Sequence, residues 1–221
     1  MTGVYSELSW PPPPGDRPYI AVNMVSSLDG KIVSGDRGDP VRFGSATDKA
    51  TMRQIEVVVD GIMIGHGTLK ASPDLWYPAG PKRYVVSGRG DVERQGRFFT
   101  DDPTTAYVVT TKKANAKGEN LVESPGGEID WEWVLRILRH EHGVKTLLVE
   151  GGSDLNASLF KHDAVDELFL TIAPFVKLGK EIPTIADGEP LDPAHLLKFK
   201  LFETHQVESE LFLRYRREMA V

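Results

Sequence analysis

The chain has 221 residues, 40% hydrophobic and 26% charged, the balance of a globular protein built as one large domain or a domain plus an arm. There is no cysteine, which excludes a disulfide framework, thiolate metal sites, iron–sulfur clusters and a cysteine nucleophile. Its 26 basic and 32 acidic residues give a formal charge of −6, which disfavours non-specific binding to nucleic acid or anionic membranes. No stretch approaches the roughly 20 apolar residues of a spanning helix. The start shows no basic-then-apolar export signal, so a cytoplasmic location is expected.

Residues 1–18 differ from the rest. Trp10 precedes Pro11 to Pro14 and then Gly15-Asp16-Arg17-Pro18. Four consecutive prolines favour an extended polyproline stretch that joins neither a helix nor a central strand. The segment reads either as a disordered leader or as an arm laid across the body or a partner subunit. Residues 19–221 form the body.

Within the body, Tyr19 to Val25 reads as a buried strand. Thr47 or Asp48 is placed to cap a helix running to about Val58, and Gly61 to Gly65 reads as the next strand. Short β-branched runs follow at Tyr84–Val86 and Tyr107–Val109. Ile129, Trp133 and Ile137 recur every four residues beside Val134 and Leu138, which predicts an amphipathic helix over Gly127 to Glu141. Gly143 is placed to end it. Lys145 to Val149 is a strand, Asp154 to Lys161 a short helix, and Val165 to Ala173 another strand. Lys198 to Leu201 and Leu211 to Tyr215 alternate with period two around Glu208-Ser209-Glu210, which predicts a closing antiparallel hairpin. The expected fold class is a three-layer α/β/α protein around a central mixed sheet.

Three glycine-containing loops follow predicted strands, where open α/β sheets place ligands. They are Gly65-His66-Gly67-Thr68, Ser87-Gly88-Arg89-Gly90 and Glu150-Gly151-Gly152-Ser153. Glycine allows sharp turns and close approach to a pyrophosphate, and the free amides of a helix start favour anions. Thr68 and Ser87 add hydroxyls. Arg89 adds a forked cation suited to a phosphate monoester such as the 2′-phosphate of NADPH. Each loop taken alone is equally consistent with a structural turn. Asp154 argues against phosphate at the third helix start, because it already offers those amides a carboxylate. Neither the G-x-G-x-x-G fingerprint after the first strand nor a G-x-x-x-x-G-K-[ST] loop is present, so a standard Rossmann site is not expected.

Asn23-Met24-Val25-Ser26-Ser27-Leu28-Asp29-Gly30-Lys31, Gly65-His66-Gly67-Thr68 and Leu148-Val149-Glu150-Gly151-Gly152-Ser153-Asp154-Leu155-Asn156 occur in series. In this order and spacing the chain resembles the reductase domain of the riboflavin-biosynthesis deaminase–reductases and their stand-alone relatives, which share a dihydrofolate reductase-like fold. The resemblance covers about residues 18–217. The zinc pattern of the partner deaminase domain needs cysteine and has no counterpart here.

The resemblance implies NADPH-dependent reduction of a ribosylamino-pyrimidine phosphate, opening ribosyl to ribityl, by a homodimer. It implies cofactor contacts at Thr68, Ser87 and the Gly152 to Ser158 turn, so Gly65, Arg89, Gly151, Gly152, Ser153, Asp154, Leu155 and Asn156 are the further candidate cofactor residues. It implies substrate contact at Glu150, with Asn23, Ser27 and Leu75 as further candidates. Relatives carry T-x-x-x-D-x-P-x-L after the first glycine loop, followed by an arginine. Here Thr68 to Tyr77 is one residue shorter and lacks that arginine. A substrate-binding arginine on the preceding helix is replaced by Glu56, a repulsion of several kcal/mol for a phosphate at about 4 Å and intermediate dielectric. Arg53, Arg42 or Lys70 is placed to substitute, or Arg53 and Glu56 form a solvated surface pair.

Hydride chemistry asks the protein for position and electrostatics rather than for reactive side chains. Glu150 suits holding a substrate amine or hydroxyl, or moving a proton if burial raises its pKa; its other reading is to bond loop amides and fix the turn. Asp29 is a second candidate proton donor, although Asp-Gly is above all a turn pair. His140 and His142 are two apart rather than four, so no metal site is expected. A folate, pterin or other heterocycle reductase, and a catalytically inactive nucleotide-binding protein, are the competing readings.

Overall fold

The structure, a computed structural model, describes residues 3–33, 35 and 43–218. Its strands are β1 (Tyr19–Ser26), β2 (Gly61–Gly65), β3 (Lys82–Val86), β4 (Ala106–Thr111), β5 (Leu121–Ser124), β6 (Thr146–Val149), β7 (Glu167–Ile172), β8 (Phe199–Val207) and β9 (Glu210–Arg217). Its α-helices are α1 (Ala46–Glu56), α2 (His66–Ala71), α3 (Arg97–Thr100), α4 (Trp131–His140) and α5 (Ser153–Lys161). The strands form a mixed sheet in the order β5-β4-β3-β2-β6-β1-β7-β9-β8. By contacts the chain divides into two compact units. One is built from the segment up to Leu8, Ile20–Ile55 and the chain from Val149 on; the other from Ser9–Tyr19 and Glu56–Leu148.

In the second unit, β2, β3, β4 and β5 pair in parallel, each with its neighbour. Ile62, Met63, Ile64 and Val85 are fully buried, the run of apolar residues that a parallel strand covered on both faces requires. The Asp60 carboxylate accepts from the amides of Lys145 and Thr146, both at 2.9 Å, which anchors the start of β6. Helix α4 begins at Trp131, four residues later than its periodicity suggests, because Asp130 caps it by accepting from the Trp133 amide at 3.0 Å. It buries Trp131, Val134, Leu135 and Leu138. Gly143 ends it as expected, with φ +70° and a bond from the Val144 amide to the Leu138 carbonyl. Trp10 of the Pro-rich segment donates its indole N–H to the Val58 carbonyl at 2.9 Å.

In the first unit, β1 pairs in parallel with β7, β7 pairs antiparallel with β9, and β9 with β8. The predicted C-terminal hairpin is present and longer than the alternation shows. It turns at Glu208-Ser209, so Glu210 is the first residue of β9 and is buried rather than part of the turn. The N-terminal segment lies along α1. The Val4 amide bonds Thr51 Oγ1 at 3.3 Å, the Tyr5 amide bonds Gln54 Oε1 at 3.2 Å, and the Gln54 amide returns a bond to the Tyr5 carbonyl. Tyr5 is 3% exposed and meets Phe169 and His205 edge-on, with ring centroids 5.2 and 5.6 Å away. Burial pushes its phenol pKa up.

Arg214 on β9 is almost wholly buried and pairs with fully buried Glu167 on β7, with Glu203 on β8 a second partner at 3.3 Å. Its guanidinium lies over the rings of Phe169 and Phe202 at 5.0 and 5.1 Å. Arg216 holds the other Glu167 oxygen at 3.2 Å. A buried carboxylate stripped of its cation is costly. Arg214→Met is therefore expected to lose about 3–5 kcal/mol of stability, read from the urea midpoint; a loss under about 1 kcal/mol would show that apolar packing replaces the pair.

Candidate active site

The candidate residues fall into two sets, one in each unit. The first unit holds Glu150 and the turn after it. Glu150 is half-buried, directly after the last residue of β6, and fully buried Asn156 lies in α5. Gly151 has φ +76°, and a Cβ there would stand 3.0 Å from Met24 Sδ on β1, so the position accepts only glycine. Gly152 is the N-cap of α5 and no side chain caps the helix. Asp154 is exposed in the first turn of α5, the acidic residue near that helix start that the sequence places there. Buried Ser153 accepts from Asp187 through its carbonyl at 3.3 Å, and Asn156 Nδ2 donates to the Ile185 carbonyl at 2.8 Å, so the 184–188 loop is tied to the helix start.

Two further acidic residues join this region, Asp48 within charge reach of both Glu150 and Glu210, and the sequence pattern singled out neither for a role here. Ser45, rather than Thr47 or Asp48, caps α1: its Oγ accepts from the Asp48 amide at 3.0 Å and donates to Glu210 Oε2 at 2.6 Å. Asp48 points inward and accepts from the Thr171 side chain. Burial holds the Asp48 carboxyl above the ordinary carboxylate range, and the charges of Glu210 and Glu150 raise it further. No local signal marks this cluster, because Asp48, Glu150, Thr171 and Glu210 come from four separate stretches of chain.

Ser27 and Asp29 stand together on the turn after β1. The Asp29 carboxylate accepts from Ser27 Oγ at 2.6 Å and from the amides of Lys177 at 3.0 Å and Leu178 at 2.7 Å. The Ser27 hydroxyl and these amides hold its pKa down at about 2. An ionised carboxylate engaged by three donors clamps the 174–178 loop to the turn and has no proton to give at neutral pH, which corrects its candidacy as proton donor. Asn23 is half-buried on β1 in register with Phe169. Arg53 is half-buried in the last turn of α1. Arg42 lies outside the described residues.

The second unit holds the other two glycine loops. The first of them contains a helix missed from its residue types: Gly65 caps α2, six residues that include His66 and Thr68. Two glycines in Gly-His-Gly-Thr hide it, since their helix propensity is poor. Leu75 lies half-buried beyond α2, its amide bonded to the Ser72 carbonyl at 3.0 Å. Glu56 is 0% exposed. The last turn of α1 is therefore interior at this position, and the solvated Arg53–Glu56 surface pair is ruled out.

Ser87 is buried at the end of β3, and Gly90 closes a tight turn onto it, its amide 3.0 Å from the Ser87 carbonyl. Gly90 has φ +68°, and a Cβ there would stand 2.6 Å from that of Ala116. Arg89 projects from the turn with its side chain 87% exposed. Asp91 joins the set: its carboxylate accepts from Ser87 Oγ at 3.0 Å and lies 3.6 Å from Arg89 Nε and 3.5 Å from His66 Nδ1. The Ser87 hydroxyl, first among several causes, holds the Asp91 carboxyl below its ordinary range. His140 and His142 engage different partners. His140 meets Asp16 at 3.1 Å, whereas His142 bonds the Tyr84 hydroxyl at 2.9 Å and stacks against that ring.

The mixed sheet with its closing hairpin defines a dihydrofolate reductase-like α/β protein. Dihydrofolate reductase of Enterococcus faecalis superposes with a TM-score of 0.56 at 14% identity, over 91% of this chain and 97% of that one. Over residues 18–213 the chain matches the family described as the RibD C-terminal domain, and it belongs to that family. A 2,5-diamino-6-ribosylamino-4(3H)-pyrimidinone 5′-phosphate reductase of Archaeoglobus fulgidus is 31% identical over 194 residues, 78% of this chain and 88% of the relative. RibD of Acinetobacter baumannii superposes with a TM-score of 0.78 at 19% identity, covering 92% of this chain, which spans 59% of that longer protein.

The raised Asp48 carboxyl has a testable consequence. Its folded pKa stands above the ordinary 3.8, so the folded state favours the protonated form, and the cost of its charge is absent below about pH 4 and grows as pH rises through the folded value. Asp48→Asn is expected to match wild type in thermal midpoint near pH 4 and to exceed it at pH 8. A variant less stable at pH 8 than at pH 4, relative to wild type, would show that the ionised form is the one the fold uses.

Proposed function

We propose that the protein is an oxidoreductase that uses NADPH to reduce a ribosylamino-pyrimidine 5′-phosphate, converting its ribosyl group to ribityl as in riboflavin biosynthesis. The observation that carries this reading is that the family match, residues 18–213, runs unbroken through both sets of candidate residues. The name of the Archaeoglobus fulgidus relative favours the 2,5-diamino-pyrimidinone over its deaminated uracil counterpart as substrate. The donors present fit a phosphorylated dinucleotide. Ser87 supplies a hydroxyl and Arg89 an exposed guanidinium, and α5 opens at Gly152 with no side-chain cap.

When bound, the cofactor supplies the hydride. The proposed cofactor residues are Gly65, Thr68, Ser87, Arg89, Gly151, Gly152, Ser153, Asp154, Leu155 and Asn156. Opening the ribosyl ring also needs a proton at the departing ring oxygen. We assign its handling to Glu150, which lies within charge reach of the raised Asp48 carboxyl. Asn23, Ser27, Arg53 and Leu75 remain the proposed substrate contacts. Assembly as a homodimer follows the family resemblance and is supported by Leu201 and Phe202 exposed on edge strand β8. No helix among the described residues is long and apolar enough to cross a membrane; a cytoplasmic location remains the expectation from the sequence.

Loss of the reduced-nicotinamide absorbance with the diamino-pyrimidinone phosphate, its uracil counterpart, and a pterin or folate tests the reading. Turnover of the first and not of the last two heterocycles is expected. Binding of NADPH with turnover of none would support the inactive nucleotide-binding protein instead. Glu150→Gln is expected to lower kcat about 10²-fold or more, the scale of a lost acid–base group. Arg89→Ala is expected to weaken NADPH about tenfold and NADH much less, since only the former has the 2′-phosphate; equal losses would remove the phosphate assignment.

A further inference from the structure

The Ser87–Arg89 turn does not present its donors freely. The single Ser87 hydroxyl hydrogen is given to Asp91 at 3.0 Å. Arg89 Nε, 3.6 Å from the other Asp91 oxygen, faces the same carboxylate, and so does the His66 ring at 3.5 Å. Asp91 is held in place from behind. The turn before it is fixed by Gly90, and the Ser87 amide is bonded to the Val109 carbonyl at 2.9 Å. The carboxyl is half-exposed, so it faces whatever ligand approaches Arg89.

We propose that Asp91 is a specificity-determining residue that lowers the preference for a 2′-phosphorylated coenzyme over its unphosphorylated form. The proposal rests on the dinucleotide reading above and assigns one of its residues a role that opposes Arg89. A phosphate monoester seated on Ser87 and Arg89 has to displace the hydroxyl from Asp91 and then stand beside a full negative charge. A ribose 2′-hydroxyl instead donates to that carboxylate, the chemistry by which an acidic side chain selects the unphosphorylated cofactor elsewhere. One turn thus holds a guanidinium suited to the phosphate and a carboxylate suited to the hydroxyl, and their balance sets the ratio. Asp91 is ionised at neutral pH, since the Ser87 hydroxyl and the Arg89 charge both favour its charged form.

Calorimetric binding tests this without turnover. Dissociation constants are measured for NADPH, NADH, 2′,5′-ADP and 5′-AMP on the wild-type chain, Asp91→Asn and Asp91→Ala. Removing the charge is expected to tighten NADPH and 2′,5′-ADP about tenfold in both variants while NADH and 5′-AMP stay within about twofold. A carboxylate that merely braced the turn would leave the NADPH-to-NADH ratio unmoved or weaken all four ligands together, and either result overturns the proposal. Should the wild-type chain bind neither dinucleotide, the reductase reading falls and this inference with it. Binding of both with an unmoved ratio in the variants removes Asp91 alone.

Discussion

Glu150 and Glu210 each lie within electrostatic reach of Asp48 in the first unit, and bringing α1, β7, β9 and the turn before α5 together requires that charge to be relieved. Three carboxylates in partly desolvated surroundings repel unless hydrogen bonds or a proton intervene. Both are supplied. Ser45 donates to Glu210, Thr171 donates to Asp48, and burial tips Asp48 toward its protonated form. The same arrangement sets the raised Asp48 carboxyl within charge reach of Glu150.

Asp29 and Asp91 show the opposite outcome for the same side chain. Each accepts a serine hydroxyl, with Asp29 adding two backbone amides and Asp91 two nearby basic groups, and both are pushed toward ionisation. Asp29 spends its charge on joining the turn after β1 to the 174–178 loop. Asp91 is half-exposed beside Arg89 on the turn after β3. Three aspartates thus take three roles according to burial and donors, which residue type cannot distinguish. The fully buried Arg214–Glu167 pair extends the point: a cation and an anion that composition would place on the surface sit inside, the anion shared with Arg216 and the cation with Glu203 and two aromatic faces.

The strands β1, β2 and β6, the helix α4 with its Gly143 end, and the closing hairpin were legible because periodicity and punctuation are local properties. The elements missed were those without a period to read. α2 is six residues long and opens on two glycines, and β5 is a four-residue edge strand between turns. The cap of α1 was misplaced because Thr47, Asp48 and Ser45 are all good caps by type, and only Asp48's turn inward leaves Ser45 at the position. Of the site, the glycine turns and Glu150 were visible as motifs. Asp48, Thr171, Glu210 and Asp91 were not, since none belongs to a motif.

The amino-acid order alone determined the α/β class, the three strand-end turns and the family, since each depends on spacing within a short window. Only the tertiary structure decided which carboxyls are pushed up or down, that Glu56 is interior, and that the Ser87 hydroxyl is given to Asp91. Those outcomes depend on distances between residues far apart in the chain and on how much water remains around them, and no local window contains either quantity.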